Sequence, residues 1–338
     1  MGGEMQIGLW NDSTKFPNLC SMKISAYHKS IGDDTELYNE EHSYDLIYAS
    51  KVFTETIEPD FGTTTVIRGG SGYDLHNKLP PHIEHIYPDY SLYPDFKAAL
   101  GVLTRGCPRC NHAQSRGGFC ITPDKDGCRA RKVADLSEFW NGQKEIYLLD
   151  QNLLAVPERK ELLQQLIDSK ATITFDGGMD VRYMSDEIIE MCRQLKVKDW
   201  HFAWDDPKEN LEPKFKQIAE SGLLAKDSCG VYVLTNFWST TEQDLHRIYT
   251  LRKYGYMPYV MVYDKQKFVT DKGRWKEGVE HRFTTEQLRH FKVCQHIQRW
   301  CNNRVLIKSI PNFLDYEPYS KWVNNGQPVP NPGGVECK

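Results

Sequence analysis

The sequence predicts an α/β protein, a partial (β/α)6 TIM-like barrel preceded by a small Rossmann-like α/β domain. Three observations predict it. Strand-like apolar runs recur at Gly101–Thr104, Glu145–Leu149, Thr172–Phe175, Trp200–Trp204, Val231–Leu234 and Tyr259–Tyr263, at the roughly 30-residue spacing of βα units. Helical patterns separate most of them, and right-handed βα units wind one way, toward a barrel. The expected strand ends carry polar groups: Asp150-Gln-Asn152, Asp176-Gly-Gly-Met-Asp180-Val-Arg182, Asp205-Asp206, Thr235-Asn236 and Asp264. Asp and Asn also favour turns and helix caps. Their recurrence in successive units points to a polar ligand site on the face where such strands end.

The elements follow in order. Gln6–Trp10 reads as a strand, Pro17–Ser30 as a helix, and Tyr44–Ala49 and Thr64–Ile67 as further strands. Arg68-Gly-Gly-Ser-Gly72 is a glycine-rich turn after a strand; a plain tight turn is preferred to a phosphate cradle. The Pro- and Tyr-rich segment Lys78–Asp95 reads as a linker. Residues 1–98 thus form the expected N-terminal domain, 99–320 the barrel with a C-terminal helix, and 321–338 a flexible tail. Within the barrel, Pro157–Ser169 places Leu162, Leu163, Leu166 and Ile167 on one stripe. Ser185 can cap the following helix, and Thr240-Thr-Glu-Gln243 and Thr284-Thr-Glu-Gln287 are capping boxes. Gly255 stands where a helix should stop.

Composition bounds the function. At 40% hydrophobic content the 338 residues can build a core. A net charge of −4 speaks against a large nucleic-acid footprint. No apolar run is long enough to span a bilayer, and no signal peptide is evident, so a cytoplasmic protein without a membrane partner is expected.

Of ten cysteines, four lie close together in Thr104-Arg-Gly-Cys107-Pro-Arg-Cys110, Gly118-Phe-Cys120 and Gly127-Cys128. In a long chain without a signal peptide, clustered cysteines read as metal or redox chemistry rather than as a disulfide scaffold. Soft thiolates select zinc or iron–sulfur clusters. Three ligands would leave one iron open to a substrate. The spacing leaves three arrangements open: a cluster on Cys107, Cys110 and Cys120; a cluster with Cys128 in place of Cys110; or a four-thiolate structural zinc on Cys107, Cys110, Cys120 and Cys128 in a non-catalytic binding module.

Through Thr-Arg-Gly-Cys107-Pro-Arg and Gly-Phe-Cys120, the chain resembles the radical S-adenosylmethionine (SAM) superfamily. Phe16-Pro-Asn, Leu148-Leu-Asp-Gln-Asn152, Phe175-Asp-Gly-Gly-Met-Asp180-Val-Arg182, His201-Phe-Ala-Trp-Asp205, Val231-Tyr-Val-Leu-Thr-Asn236, Pro258-Tyr-Val-Met-Val-Tyr-Asp264 and Gln298-Arg-Trp-Cys-Asn-Asn-Arg304 extend the resemblance, over most of the chain, to a bacterial and phage group without an assigned reaction. The superfamily pattern is Cys-x3-Cys-x2-Cys. Here it is Cys107-x2-Cys110-x9-Cys120, as if about six residues were inserted within Cys110–Gly118.

The resemblance implies a 4Fe-4S cluster that binds SAM and reductively cleaves it to methionine and a 5′-deoxyadenosyl radical. That radical abstracts hydrogen from an unknown substrate, a small molecule or a nucleic acid. An electron donor such as flavodoxin or ferredoxin is implied as a partner. By motif position, Asp150 and Asn152 would bind the SAM amino group. Asp180 and Arg182 would address its ribose or carboxylate, a structural ion pair being the alternative for Arg182. Asp205 and Asn236 would hold ribose hydroxyls or substrate. The N-terminal unit resembles a truncated cobalamin-binding-type domain without its histidine signature, so no cobalamin is expected. Arg299 and Asn303 are further substrate candidates, against the alternative that Trp300 simply packs a C-terminal helix on the barrel.

Overall fold

The first strand, β1 (Gln6–Asn11), buries Ile7 and Leu9. Helix α1 (Leu19–Ser30) follows, capped by Asn18, whose side chain accepts from the Ser21 amide at 3.0 Å. The computed structural model describes residues 4–12 and 16–330; the end of the expected tail, residues 331–338, lies outside them. Strand β2 (Asp34–Leu37) was not legible as a strand, because Asp-Thr-Glu-Leu has no apolar run. With β3 (Leu46–Ser50) and β4 (Thr65–Gly69) it completes a parallel sheet of order β2-β1-β3-β4. The expected linker holds the short helix α2 (Pro81–Glu84) and a 3-10 turn at Tyr90–Leu92. Ile83 and Leu92 join Ile7, Leu9 and Met22 in one cluster, so this segment packs as part of the domain core.

A second parallel sheet has the order β10-β9-β8-β5. Its strands are β5 (Ala99–Gly101), β8 (Glu145–Leu148), β9 (Thr172–Phe175) and β10 (Lys196–Val197). Between β5 and β8 lies an antiparallel pair, β6 (Thr104–Arg105) with β7 (Arg131–Lys132), which encloses the short helix α3 (Thr122–Asp126). Helix α4 (Arg159–Ser169) buries Leu162, Leu163 and Leu166 of the expected stripe and leaves Ile167 partly buried. Helix α5 (Asp186–Cys192) begins at Ser185, whose hydroxyl accepts from the Ile188 amide at 3.3 Å.

A third parallel sheet, β11-β12-β13, is made by His201–Ala203, Gly230–Thr235 and Met257–Val262. Helix α6 (Glu212–Ser221) connects its first two strands, and α7 (Thr241–Lys253) its last two. Two short helices, α8 (Lys265–Phe268) and α9 (Val279–Arg282), precede α10 (Thr285–Cys301); α11 (Arg304–Ser309) and α12 (Glu317–Asn324) follow. Both capping boxes form, at Thr240 with Gln243 and at Thr284 with Gln287. Gly255 follows α7 at φ +82. Val260, Phe291, Ile297 and Trp300 share one core with Phe313. Helix α12, with Trp322 buried, carries regular structure past residue 321.

The fold is mixed α/β with parallel sheets. The chain divides into two compact units, Met1–Gly177 with Glu190–Lys198, and Gly178–Ile189 with Asp199–Lys338. The expected barrel strands divide with it, β5, β8 and β9 in the first unit and β11, β12 and β13 in the second. Among the described residues, no helix is long and apolar enough to cross a membrane.

Candidate functional site

The cysteine loop is closed by the β6–β7 pair, in which Thr104 faces Lys132 and Arg105 faces Arg131. Its backbone folds on itself. The Cys107 amide donates to the Gly127 carbonyl at 3.1 Å, and the Cys120 amide to the His112 carbonyl at 2.8 Å. Two glycines permit this path: a Cβ on Gly106, at φ +84, would sit 2.3 Å from the Arg129 carbonyl, and one on Gly118 would sit 2.1 Å from that of His112. All four cysteines are therefore gathered in one loop. Cys110 and Cys128 are joined in a disulfide, in which Cys107 and Cys120 take no part.

This arrangement bears on metal ligation. A disulfide sulfur is not a thiolate, so two thiols remain, too few for the three-thiolate set. Among the described residues no three His, Cys, Asp or Glu side chains converge as metal ligands. The loop in this state does not fit a cluster. Reduction of the Cys110–Cys128 bond would restore four thiols to it.

Two buried residues after β8 support the loop. Asp150 accepts from the Leu103 amide at 3.1 Å, from the Thr104 amide at 2.5 Å and from the Thr104 hydroxyl at 2.6 Å. Burial pushes its carboxyl up to about 6, against the opposing hydrogen bonds from Thr104 and Leu103. Its carboxylate thus fixes the chain entering the cysteine loop. The Asn152 side-chain amide donates to the Cys107 sulfur at 3.6 Å. Gly177, after β9, packs where a Cβ would lie 2.1 Å from the Asp150 carbonyl.

The second unit places its strand-end residues differently. Asp180 accepts from the Arg182 amide at 3.1 Å and from its guanidinium at 2.7 Å; that guanidinium also reaches Glu209 at 2.5 Å. Arg182 is thus held by a pair of carboxylates, the structural alternative raised for it. The Asp205 carbonyl accepts from Arg247 at 2.9 Å. Arg247 is fully buried and also donates to the Trp204 carbonyl at 2.6 Å, the Leu234 carbonyl at 2.8 Å and the Asp244 carboxylate at 2.5 Å. One side chain on α7 thereby ties the C-terminal ends of β11 and β12 together. No sequence signal marks this role, because an arginine on a helix ordinarily faces solvent.

Asn236 and Asp264 close β12 and β13 in the left-handed region, at φ +62 and φ +50, where non-glycine residues are uncommon. The Asn236 side chain donates to the Tyr263 carbonyl at 3.0 Å. Both line a cavity of about 660 Å³ with Phe237, Tyr263 and His290. Burial lowers the His290 pKa, against the raising effect of Glu242 and Glu286. His290 was missed because it sits beside the apolar stripe of a helix and belongs to no motif. Arg299 and Asn303 are exposed. Asn303 caps α11, accepting from the Val305 and Leu306 amides at 3.0 and 3.1 Å. Trp300 is buried and donates to the Ile310 carbonyl at 2.8 Å.

Comparison with protein-family models and with curated proteins gives no match for this chain.

Proposed function

We propose that this chain is a radical SAM enzyme of the cytoplasm whose partial barrel presents Cys107, Cys110 and Cys120 to a 4Fe-4S cluster once the Cys110–Cys128 bond is reduced. A reducing compartment favours the open dithiol. One observation carries the reading: the Asn152 amide, at a strand end picked out by sequence, donates to the sulfur of Cys107. The strand-end motif and the cysteine motif, far apart in sequence, therefore meet. Hydrogen bonds to cluster sulfurs tune potential and orient ligands, a role open to Asn152. Asp150 is a positioning residue that fixes the backbone leading to Cys107. Asp180, Arg182, Asp205 and Asn236 are the proposed contacts to SAM or substrate; the first two would keep or exchange their present ion pairs.

The adjacency of Cys110 and Cys128 supports a second reading, in which all four thiols hold a structural zinc and the chain is a binding module.

The experiment is single-turnover chemistry. Anaerobically reconstituted protein is incubated with SAM and dithionite, and with reduced flavodoxin in a parallel arm. Release of 5′-deoxyadenosine is expected, and its loss in Cys107→Ala. Cluster-loaded protein that releases none would overturn the proposal.

A further inference from the structure

A cavity of about 390 Å³ lies at the C-terminal ends of β3 and β4, lined by the N-terminal domain and by Arg105 and Lys125 of the cysteine-loop segment; this is the end of a parallel sheet at which α/β proteins commonly bind ligands. Its lining mixes two chemistries. Ile24, Ile67, Leu79, Ile83 and the Tyr48 ring are apolar. Arg68, Lys78, Arg105 and Lys125 are cationic, with one carboxylate, Glu84, among them.

Three of these cations have carboxylate partners: Arg68 with Glu58 at 2.6 Å, Lys78 with Asp126 at 3.0 Å and Arg105 with Glu84 at 3.1 Å. Lys23 also approaches Glu84, at 3.7 Å. Lys125 is half-buried and has no carboxylate partner among the described residues. The lining itself holds four cations and one carboxylate, Glu84, with Glu58 and Asp126 pairing from outside it.

The glycine turn singled out in the sequence forms part of this cavity. A Cβ on Gly70, at φ +91, would lie 2.4 Å from the Lys51 carbonyl, so only glycine follows this path. The amides of Gly70 and Ser71 donate to no acceptor among the described residues. Consecutive free amides in a turn form an anion-binding concavity. Asn77 donates to the Arg68 carbonyl at 2.9 Å, and the adjacent Lys78 to the Lys125 carbonyl at 3.1 Å, which links the turn to the Lys125 segment through neighbouring residues.

We propose that this cavity binds a nucleoside monophosphate, its phosphate held by Lys125 and the Gly70–Ser71 amides and its base laid against the apolar lining residues. The volume is at the small end of ligand pockets, which suits one ring system with one phosphate. Cys20 is an exposed residue that also lines the cavity, and burial of its thiol raises its pKa; its alkylation at alkaline pH therefore reports occupancy.

The test uses the full chain, titrated calorimetrically with AMP, GMP, CMP and UMP, and with adenosine and inorganic phosphate as controls. Cys20 alkylation is followed by mass spectrometry in parallel. At least one nucleotide is expected to bind, to slow Cys20 alkylation, and to bind about tenfold more weakly to Lys125→Glu. Adenosine and phosphate alone are expected to bind far more weakly. Should Lys125→Glu fail to fold by circular dichroism, Ser71→Glu on the glycine turn gives the same readout. The proposal is overturned if no nucleotide binds by about 1 mM. It is equally overturned if the charge reversal leaves binding unchanged, if Cys20 stays unprotected, or if inorganic phosphate binds as tightly as the nucleotide.

Discussion

Replacing Arg247 with alanine is expected to cost about 3–5 kcal/mol of stability, the penalty for stranding one member of a buried ion pair. Arg247 and Asp244 are 1% and 0% exposed, so water cannot take over their interactions. The variant leaves a buried carboxylate without its guanidinium. It also frees the carbonyls of Trp204, Asp205 and Leu234. Because these carbonyls end β11 and β12, the cavity beside Asn236 should loosen along with the global loss. The pH dependence has a definite sign. Asp244 is pushed up to about 6, first by burial. A carboxyl raised in the folded state stabilises below its unfolded value, and that contribution is lost as pH rises through about 6. Without Arg247 the ionised form becomes still less favourable. The deficit of the variant should therefore shrink near pH 5 and widen near pH 8. Urea unfolding at both pH values checks this; a pH-independent deficit would contradict it.

The second large effect is expected at Asp150. Asp150→Ala removes the acceptor from two buried backbone amides and a buried hydroxyl. At about 1–3 kcal/mol for a buried donor left unmade, a loss of about 2–4 kcal/mol is expected, part being relieved by relaxation. Asp150→Asn keeps the volume but turns an amide toward a backbone donor, so it should recover only part of the loss. The substitutions also carry a local signature. If Asp150 positions the chain leading to Cys107, hydrogen exchange at Leu103 and Thr104 should accelerate more than exchange within β1. The ionisation of Asp150, raised to about 6 by burial, makes the wild type lose stability as pH rises from about 4 through 6. Asp150→Asn should flatten that slope, and an unchanged slope would remove Asp150 as its source.

Much of the architecture was legible because it rests on local signals. Capping boxes at Thr240 and Thr284 need only four residues, and both form. The apolar runs at Glu145, Thr172, Val231 and Tyr259 are parallel strands that bury alternate residues, Ile146, Ile173, Val231, Val233 and Val260 among them, while Tyr232, Tyr259 and Met261 on the other face are exposed. The short strands β2 and β10 have no such runs and are held by pairing with their neighbours instead. The division of the strands between two units was not legible, since each run looks alike whichever sheet it joins. At the site, Asp150 and Asn152 were found by their place after a strand, but their partners, Thr104 and Cys107, lie more than forty residues earlier and only folding reveals them. Arg182 drew notice for the chemistry of its head group, yet it is occupied by Asp180 and Glu209. Arg247 and His290 drew none, because burial of a charged or titratable helix residue is a tertiary outcome. The glycine turn at Gly70 is the reverse case: a weak motif alone, it gains weight beside a cavity containing Lys125.

The central claim is that the loop at Cys107, Cys110 and Cys120 holds iron and sulfide. The most direct measurement is the metal and acid-labile sulfide content of protein purified anaerobically under thiol reductant, beside a Cys120→Ser variant. The wild type should be brown, with about four iron and four sulfide per chain, and the variant should lose most of both. One zinc per chain without iron, retained in reduced protein, would contradict the account and select the four-thiolate binding module instead.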